Sequence, residues 1–187
     1  MPGIRIQEKT IEDIEYKLSG MTTSLNKIAY LESALKSGFS FEIKRWIWET
    51  LVELYESEKM YEKAAQAMRE KSEIEISFRE KIETLLKAGE LYAKAGKIED
   101  SEHMFVRAMR DADLEQKQKI KLAMKNIFMV SAHDLEKAGK KATAAKFYEI
   151  LIKMDLDVLE KKEIKDKLLE VYKSLGKFRD VKLLEGL

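Results

Sequence analysis

Residues 85–112 read LLKAGELYAKAGKIEDSEHMFVRAMRDA, and the reading of this stretch decides the fold. Ala88, Gly89, Tyr92, Gly96, Ile98, Ser101, Phe105 and Ala108 follow one another in a single run. Such spacing predicts two short helices facing each other across a glycine turn. Gly96 can take the left-handed conformation in which a first helix stops. The small residues let the second helix return at close range, and Tyr92 and Phe105 are large enough to fill the gap.

Similar punctuation recurs on both sides. Toward the N-terminus, Thr10 can cap a helix carrying Ile11, Ile14 and Leu18, which Gly20 ends. A helix from about Thr23 to Ser37 follows, closed by Gly38. Ser40 then caps a helix to Glu56, and its partner runs from Met60 to about Ser72. Ser77 and Glu80 have the form of a capping box, as do Asp113 with Gln116 and Asp157 with Glu160. Beyond Asp113 a long helix reaches Ala138, Gly139 turns the chain into Lys141–Met154, and Gly176 precedes a short last helix, Phe178–Glu185. No stretch alternates as a strand does. The expectation is an all-α domain of roughly ten helices in five antiparallel pairs. Its parts are an arm over 1–9, a degenerate unit over 10–38, and units over 41–72, 77–112, 114–154 and 157–187.

The 187 residues suffice for one domain with a sizeable core, not for two independent ones. A net charge of +1, although 37% of residues are charged, removes any global field for nucleic acid or anionic membrane, so charge-driven binding must be local. The lack of cysteine excludes disulfides, thiolate metal sites and cysteine nucleophiles together. No apolar run approaches the roughly 20 residues of a bilayer span, and nothing resembles a signal peptide, so the expectation is a soluble, cytoplasmic protein that contacts no membrane. A Lys- and Glu-rich surface, with asparagine only at Asn26 and Asn126, matches the bias of heat-adapted proteins.

Aligned on their turns, Gly96, Gly139 and Gly176 stand 43 and 37 residues apart, and Tyr55, Tyr92, Leu135 and Tyr172 hold one register ahead of the turns. On these residues the chain resembles the tetratricopeptide repeat family. Its unit has a large residue at position four, a small one at eight, tyrosine at eleven, glycine at fifteen, alanine at twenty, an aromatic at twenty-four and alanine at twenty-seven. The third unit matches best, through Leu85, Gly89, Tyr92, Gly96, Ile98, Ser101, Phe105 and Ala108. The second offers Trp48, Leu51, Tyr55, Tyr61, Ala64 and Met68, with Lys59 in place of the turn glycine. In the fourth stand Phe128, Ala132, Leu135, Gly139, Ala144, Tyr148 and Leu151, and in the fifth Leu168, Tyr172, Gly176, Phe178 and Val181. The first unit keeps only Tyr16, Gly20 and Ala29. Two features depart from the family: its period is about 34 residues, and the proline after each second helix is missing. The resemblance implies a right-handed α-solenoid and a non-catalytic protein-binding scaffold.

Candidates for catalysis are few. His103 and His133 are the only histidines, and Asp100-x-x-His103 has one-turn metal-ligand spacing without the second copy that a di-metal bundle needs. No glycine-rich phosphate loop is present. No enzyme activity, metal or cofactor is expected.

In the family the resemblance points to, the first helices of the pairs line a concave groove. The positions that would line it here are Trp46, Glu49, Glu53 and Glu56, then Glu83, Leu86 and Glu90, then Asn126, Met129 and His133, and finally Glu163, Asp166 and Glu170. The family's chaperone-binding members hold a C-terminal carboxylate with lysines and asparagines, where this chain has Glu49 and Glu53. The implied partner is therefore a basic peptide or protein tail, with an apolar side chain on Trp46 or Met129.

A second surface is basic. No acid stands between Glu115 and Asp134, and Lys117, Lys121 and Lys125 occupy successive turns, with Arg107 and Arg110 nearby. Such a stripe suits phosphates or RNA. Lys117 and Lys121 precede the fourth unit's register, which puts the stripe on a helix extension at an edge. Groove and stripe together would suit docking on a ribonucleoprotein such as the ribosome; the rival expectation is a plain adaptor, and pull-down with and without nuclease separates the two. At the C-terminus, Phe178, Val181, Leu183, Leu184 and Leu187 are apolar on more than one side, from which a homodimer through the last hairpin is expected.

Overall fold

The computed structural model describes residues 6–110 and 112–186. They form ten α-helices and no strand: α1 Ile11–Ser19, α2 Ser24–Ala34, α3 Phe41–Ser57, α4 Tyr61–Glu73, α5 Phe78–Lys94, α6 Ile98–Arg110, α7 Leu114–Lys137, α8 Lys141–Leu151, α9 Val158–Ser174 and α10 Phe178–Glu185. None of them is long and apolar enough to cross a membrane.

The helix starts follow from local chemistry. Thr10 with Asp13, Asp113 with Gln116 and Asp157 with Glu160 form reciprocal capping boxes. At Ser77 the expected box does not form. The backbone has the extended N-cap conformation, but the exposed hydroxyl makes no bond to the first turn of α5, where water can serve the free amides instead. Two helices also end earlier than expected, α2 at Ala34 and α8 at Leu151. There the chain tightens into three-residue bonds, Ser37 N–H to Ala34 C=O and Met154 N–H to Leu151 C=O, as helix ends commonly do.

Four hairpin turns share one geometry. Gly96, Gly139 and Gly176 have φ of +75°, +75° and +70°, and Lys59 takes the same left-handed region at +57°. In each, the following amide returns to the carbonyl that sets the register: Met60 to Tyr55, Lys97 to Tyr92, Lys140 to Leu135 and Lys177 to Tyr172, at 2.7–3.0 Å. The alignment made on side chains is thus also an alignment of backbone hydrogen bonds.

Inside the third hairpin, Ser101 donates its hydroxyl to the Gly89 carbonyl at 2.6 Å, and a Cβ on Gly89 would lie 2.9 Å from the Phe105 ring. Glycine is required by that approach. Phe105, Phe128 and Phe147 then stack edge to face, with centroids 5.8 and 5.1 Å apart, and carry one core from α6 through α7 to α8. Glu32 and Glu149 accept the Tyr55 and Tyr172 hydroxyls at 2.6 and 2.8 Å, each bond spanning 23 residues. Burial first, then these carboxylates, holds both phenols well above the ordinary tyrosine pKa.

Among the described residues, the helix pairs in substantial contact are sequential neighbours, together with α5 and α7. The accessible surface, 11543 Å², exceeds the roughly 9200 Å² expected of a compact monomer of this length. Both observations describe an open row of helices rather than a closed bundle.

Candidate functional site

Clefts lie between α1 and α3, between α3 and α5, and between α7 and α9, each floored by the even-numbered helix between them, whereas α5 and α7 touch directly. One of about 450 Å³ lies between α1 and α3, lined by Glu15, Lys27, Trp46, Glu49 and Glu53. Another of about 490 Å³ lies between α3 and α5 and includes Arg45, Glu49, Lys71, Glu75 and Glu83. Glu49 lines both. A third of about 310 Å³ lies between α7 and α9, with Met129, His133, Glu163 and Lys167 over Tyr148.

The expected groove residues are thus brought to these helices, but their charges are largely answered from within the chain. Glu49 meets Lys71 at 2.9 Å, and Lys71 also binds Glu75 at 2.8 Å. The Glu75 side chain is only 2% exposed and is reached by Arg45 as well, at 3.5 Å. Burial works against the Lys71 ammonium, yet its bonds to Glu75 and Glu49 outweigh that and hold its pKa above the ordinary value. Glu56 and Glu90 share Lys87 and Lys94, and Glu83 pairs with Arg79. Glu170 is exposed, with Lys167 at 4.0 Å. Leu86 is half-buried and packs on the core. Glu53 has no cation within 4 Å among the described residues, and it stands in the first cleft with half-buried Trp46.

Arg45, Lys71, Glu75 and Lys87 were missed in the sequence because their partners lie on neighbouring helices. One signal was available. The pairs Lys63 with Glu32 and Lys87 with Glu56 both span 31 residues, the first joining α4 to α2 and the second α5 to α3.

The basic stripe is also partly engaged. Arg107 binds Glu73, Lys119 binds Glu115, and Lys125 binds Glu160 across to α9. Lys117 and Lys121 have no such partner among the described residues, and Arg110 is exposed at the end of α6. His103 and Asp100 are exposed, and no three potential ligands are gathered for a metal among the described residues.

At the C-terminus, Val181 and Leu184 are 6% and 7% exposed and belong to their own hairpin's core, so they are not surface. Phe178 and Leu183 remain exposed, and Leu187 lies outside the described residues. In the register that places Phe105 and Tyr148 against the following helix, α10 carries Glu185, exposed and 3.6 Å from Lys173. The stacking face of the last hairpin is polar at that position, while Phe178 and Leu183 of the expected patch stay exposed.

Compared with known proteins, the chain matches no family model, and neither the curated proteins nor the solved structures show a significant similarity to it.

Proposed function

We propose that the chain is a non-catalytic protein-binding scaffold, a right-handed solenoid of the tetratricopeptide kind, whose α1, α3 and α5 face holds a basic segment of a partner protein. The observation that carries this reading is the pair of clefts that share Glu49, with Trp46 in the same cleft as Glu53, which has no cation within 4 Å among the described residues. A half-buried indole offers an apolar anchor, and a carboxylate without an internal cation leaves its charge for the partner. The ion pairs around Glu75 favour a rigid floor. A buried pair gives little net stability, but removing one member strands the other, so the arrangement is held in place.

The proposal is narrower than an acidic groove. Glu49, Glu56 and Glu90 already have lysines, so a partner's cations must compete for them, whereas Glu53 has none among the described residues. In a Trp48→Phe background, emission from Trp46 should change saturably on titration with a Lys- and Arg-rich peptide that carries one leucine. Glu53→Lys should abolish the change without altering thermal stability. An unchanged titration in Glu53→Lys would remove this face as the site.

A further inference from the structure

The α3 helix carries a second tryptophan, and it faces away from the clefts described above. Trp48 follows Trp46 by two residues, which is about 200° around a helix. Both indoles are half-buried. Trp46 lines the cleft between α1 and α3, whereas Trp48 lines a groove of about 390 Å³ between α2 and α4. Leu35 at the end of α2, Tyr55 of α3 and Ala67 of α4 line the same groove.

This groove is built twice. Another of about 290 Å³ lies between α8 and α10, and four of its residues repeat the first at one interval of 117: Glu149 for Glu32, Ile152 for Leu35, Lys153 for Lys36 and Tyr172 for Tyr55. In both, the glutamate accepts the tyrosine hydroxyl, at 2.6 and 2.8 Å. The two differ in charge. At the same interval Asp180 stands where the first groove has Lys63, whose ammonium lies 5.6 Å from the Tyr55 ring centroid. The first groove is therefore lined by Lys36, Lys63 and Arg69 against Glu32 and Glu70, and the second by Lys153 against Glu149 and Asp180. In the first, both acids are engaged, Glu32 by Tyr55 and by Lys63 at 3.3 Å, and Glu70 by Arg69 at 2.8 Å. Lys36 is exposed and has no carboxylate within 4 Å among the described residues.

We infer that the groove between α2 and α4 is a docking site for an acidic segment of a partner protein that carries an apolar side chain. Trp48 and Leu35 receive the apolar side chain, and Lys36 meets the carboxylate beside it. The charge that the groove leaves unanswered is positive, so its ligand is opposite in charge to the one proposed for the α1, α3 and α5 face. A single-stranded nucleic acid would use an indole and lysines too, but it needs a cationic track along its backbone, and Glu32 and Glu70 interrupt the one here. The site uses another side of α3 and stands whether or not the first face binds anything.

The test uses the full chain in a Trp46→Phe background, where Trp48 is the one remaining indole. Three probes are titrated: a capped peptide of glutamate and serine with one central leucine, the same peptide with lysine for each glutamate, and a 20-nucleotide uridine RNA. The acidic peptide should change Trp48 emission saturably. In the isotope-labelled chain it should shift amide resonances of 32–36 and 63–70 and leave those of 149–153 and 180–184 in place. Lys36→Glu should weaken binding about tenfold, since like charges then meet, and thermal melts should show this exposed substitution folded. Glu53→Lys should leave the groove unaffected, which separates this site from the α1, α3 and α5 face. No saturable change, equal binding of the lysine peptide, binding that survives Lys36→Glu, equal shifts in both grooves, or RNA binding tighter than the acidic peptide would overturn the inference.

Discussion

The hairpin formed by α5 and α6 and the helix that follows it are built to different measures. In α5, Lys87 and Lys94 pair with Glu90 of the same helix and with Glu56 of α3. In α7, two added turns carry exposed Leu114 and half-buried Lys117 together with Ile120, which is buried in the core. The difference teaches where binding capacity resides in such an array. Where helices share a register most charges meet a neighbour, as Glu56 and Glu90 meet Lys87 and Lys94, whereas Lys117 and Lys121 have no partner among the described residues.

The largest effect should come from breaking the junction between the two regions. Phe128→Ala removes the middle ring of the edge-to-face series and should cost about 3–5 kcal/mol in denaturant unfolding. A loss below about 1 kcal/mol would mean that the two halves do not share a core. Next is the regular hairpin itself. Gly89→Ala sets a methyl 2.9 Å from the Phe105 ring and should cost about 1–3 kcal/mol, with Ser101 and Gly89 losing their short bond.

The turns sharpen the comparison at smaller cost. Lys59→Gly should stabilise by about 0.5–1 kcal/mol, because a lysine there is held at positive φ, while Gly139→Ala, in open space at φ +75°, should destabilise by about 1 kcal/mol. Opposite signs at equivalent positions would identify the turn conformation itself as the cause. The smallest effect is alkaline. The folded phenols of Tyr55 and Tyr172 are raised by burial and by Glu32 and Glu149, so their contribution is complete below the unfolded tyrosine pKa of about 10 and declines above it. Tyr55→Phe together with Tyr172→Phe should flatten the fall in stability above pH 10, while neutral stability drops by the two lost hydrogen bonds to Glu32 and Glu149. Leu135, in the fourth unit, adds nothing to that slope.

Much of this was legible in the sequence. Ten helices, the pairing of α3 with α4, α5 with α6, α7 with α8 and α9 with α10, and the common turns followed from glycine spacing and apolar periodicity, because those signals are local and each of these hairpins closes within about 40 residues. The Ser77 box failed because a capping pattern states which groups can bond and not whether solvent takes their place. The acidic groove was overstated for another reason: Glu49, Glu56 and Glu90 were read along one helix, and the cations that answer them, Lys71, Lys87 and Lys94, come partly from the next. The C-terminal patch was overstated likewise, since two faces of an eight-residue helix cannot be told apart by composition alone, and Val181 and Leu184 turned inward.

The central claim is that the odd-numbered helices stand in one open row with their clefts on a common side. Small-angle scattering of the monomer tests it most directly. A compact domain of this length has a radius of gyration of about 16 Å. The account predicts a clearly larger value and a distance distribution with an extended tail, and a measured radius at about 16 Å with a symmetric distribution would contradict it.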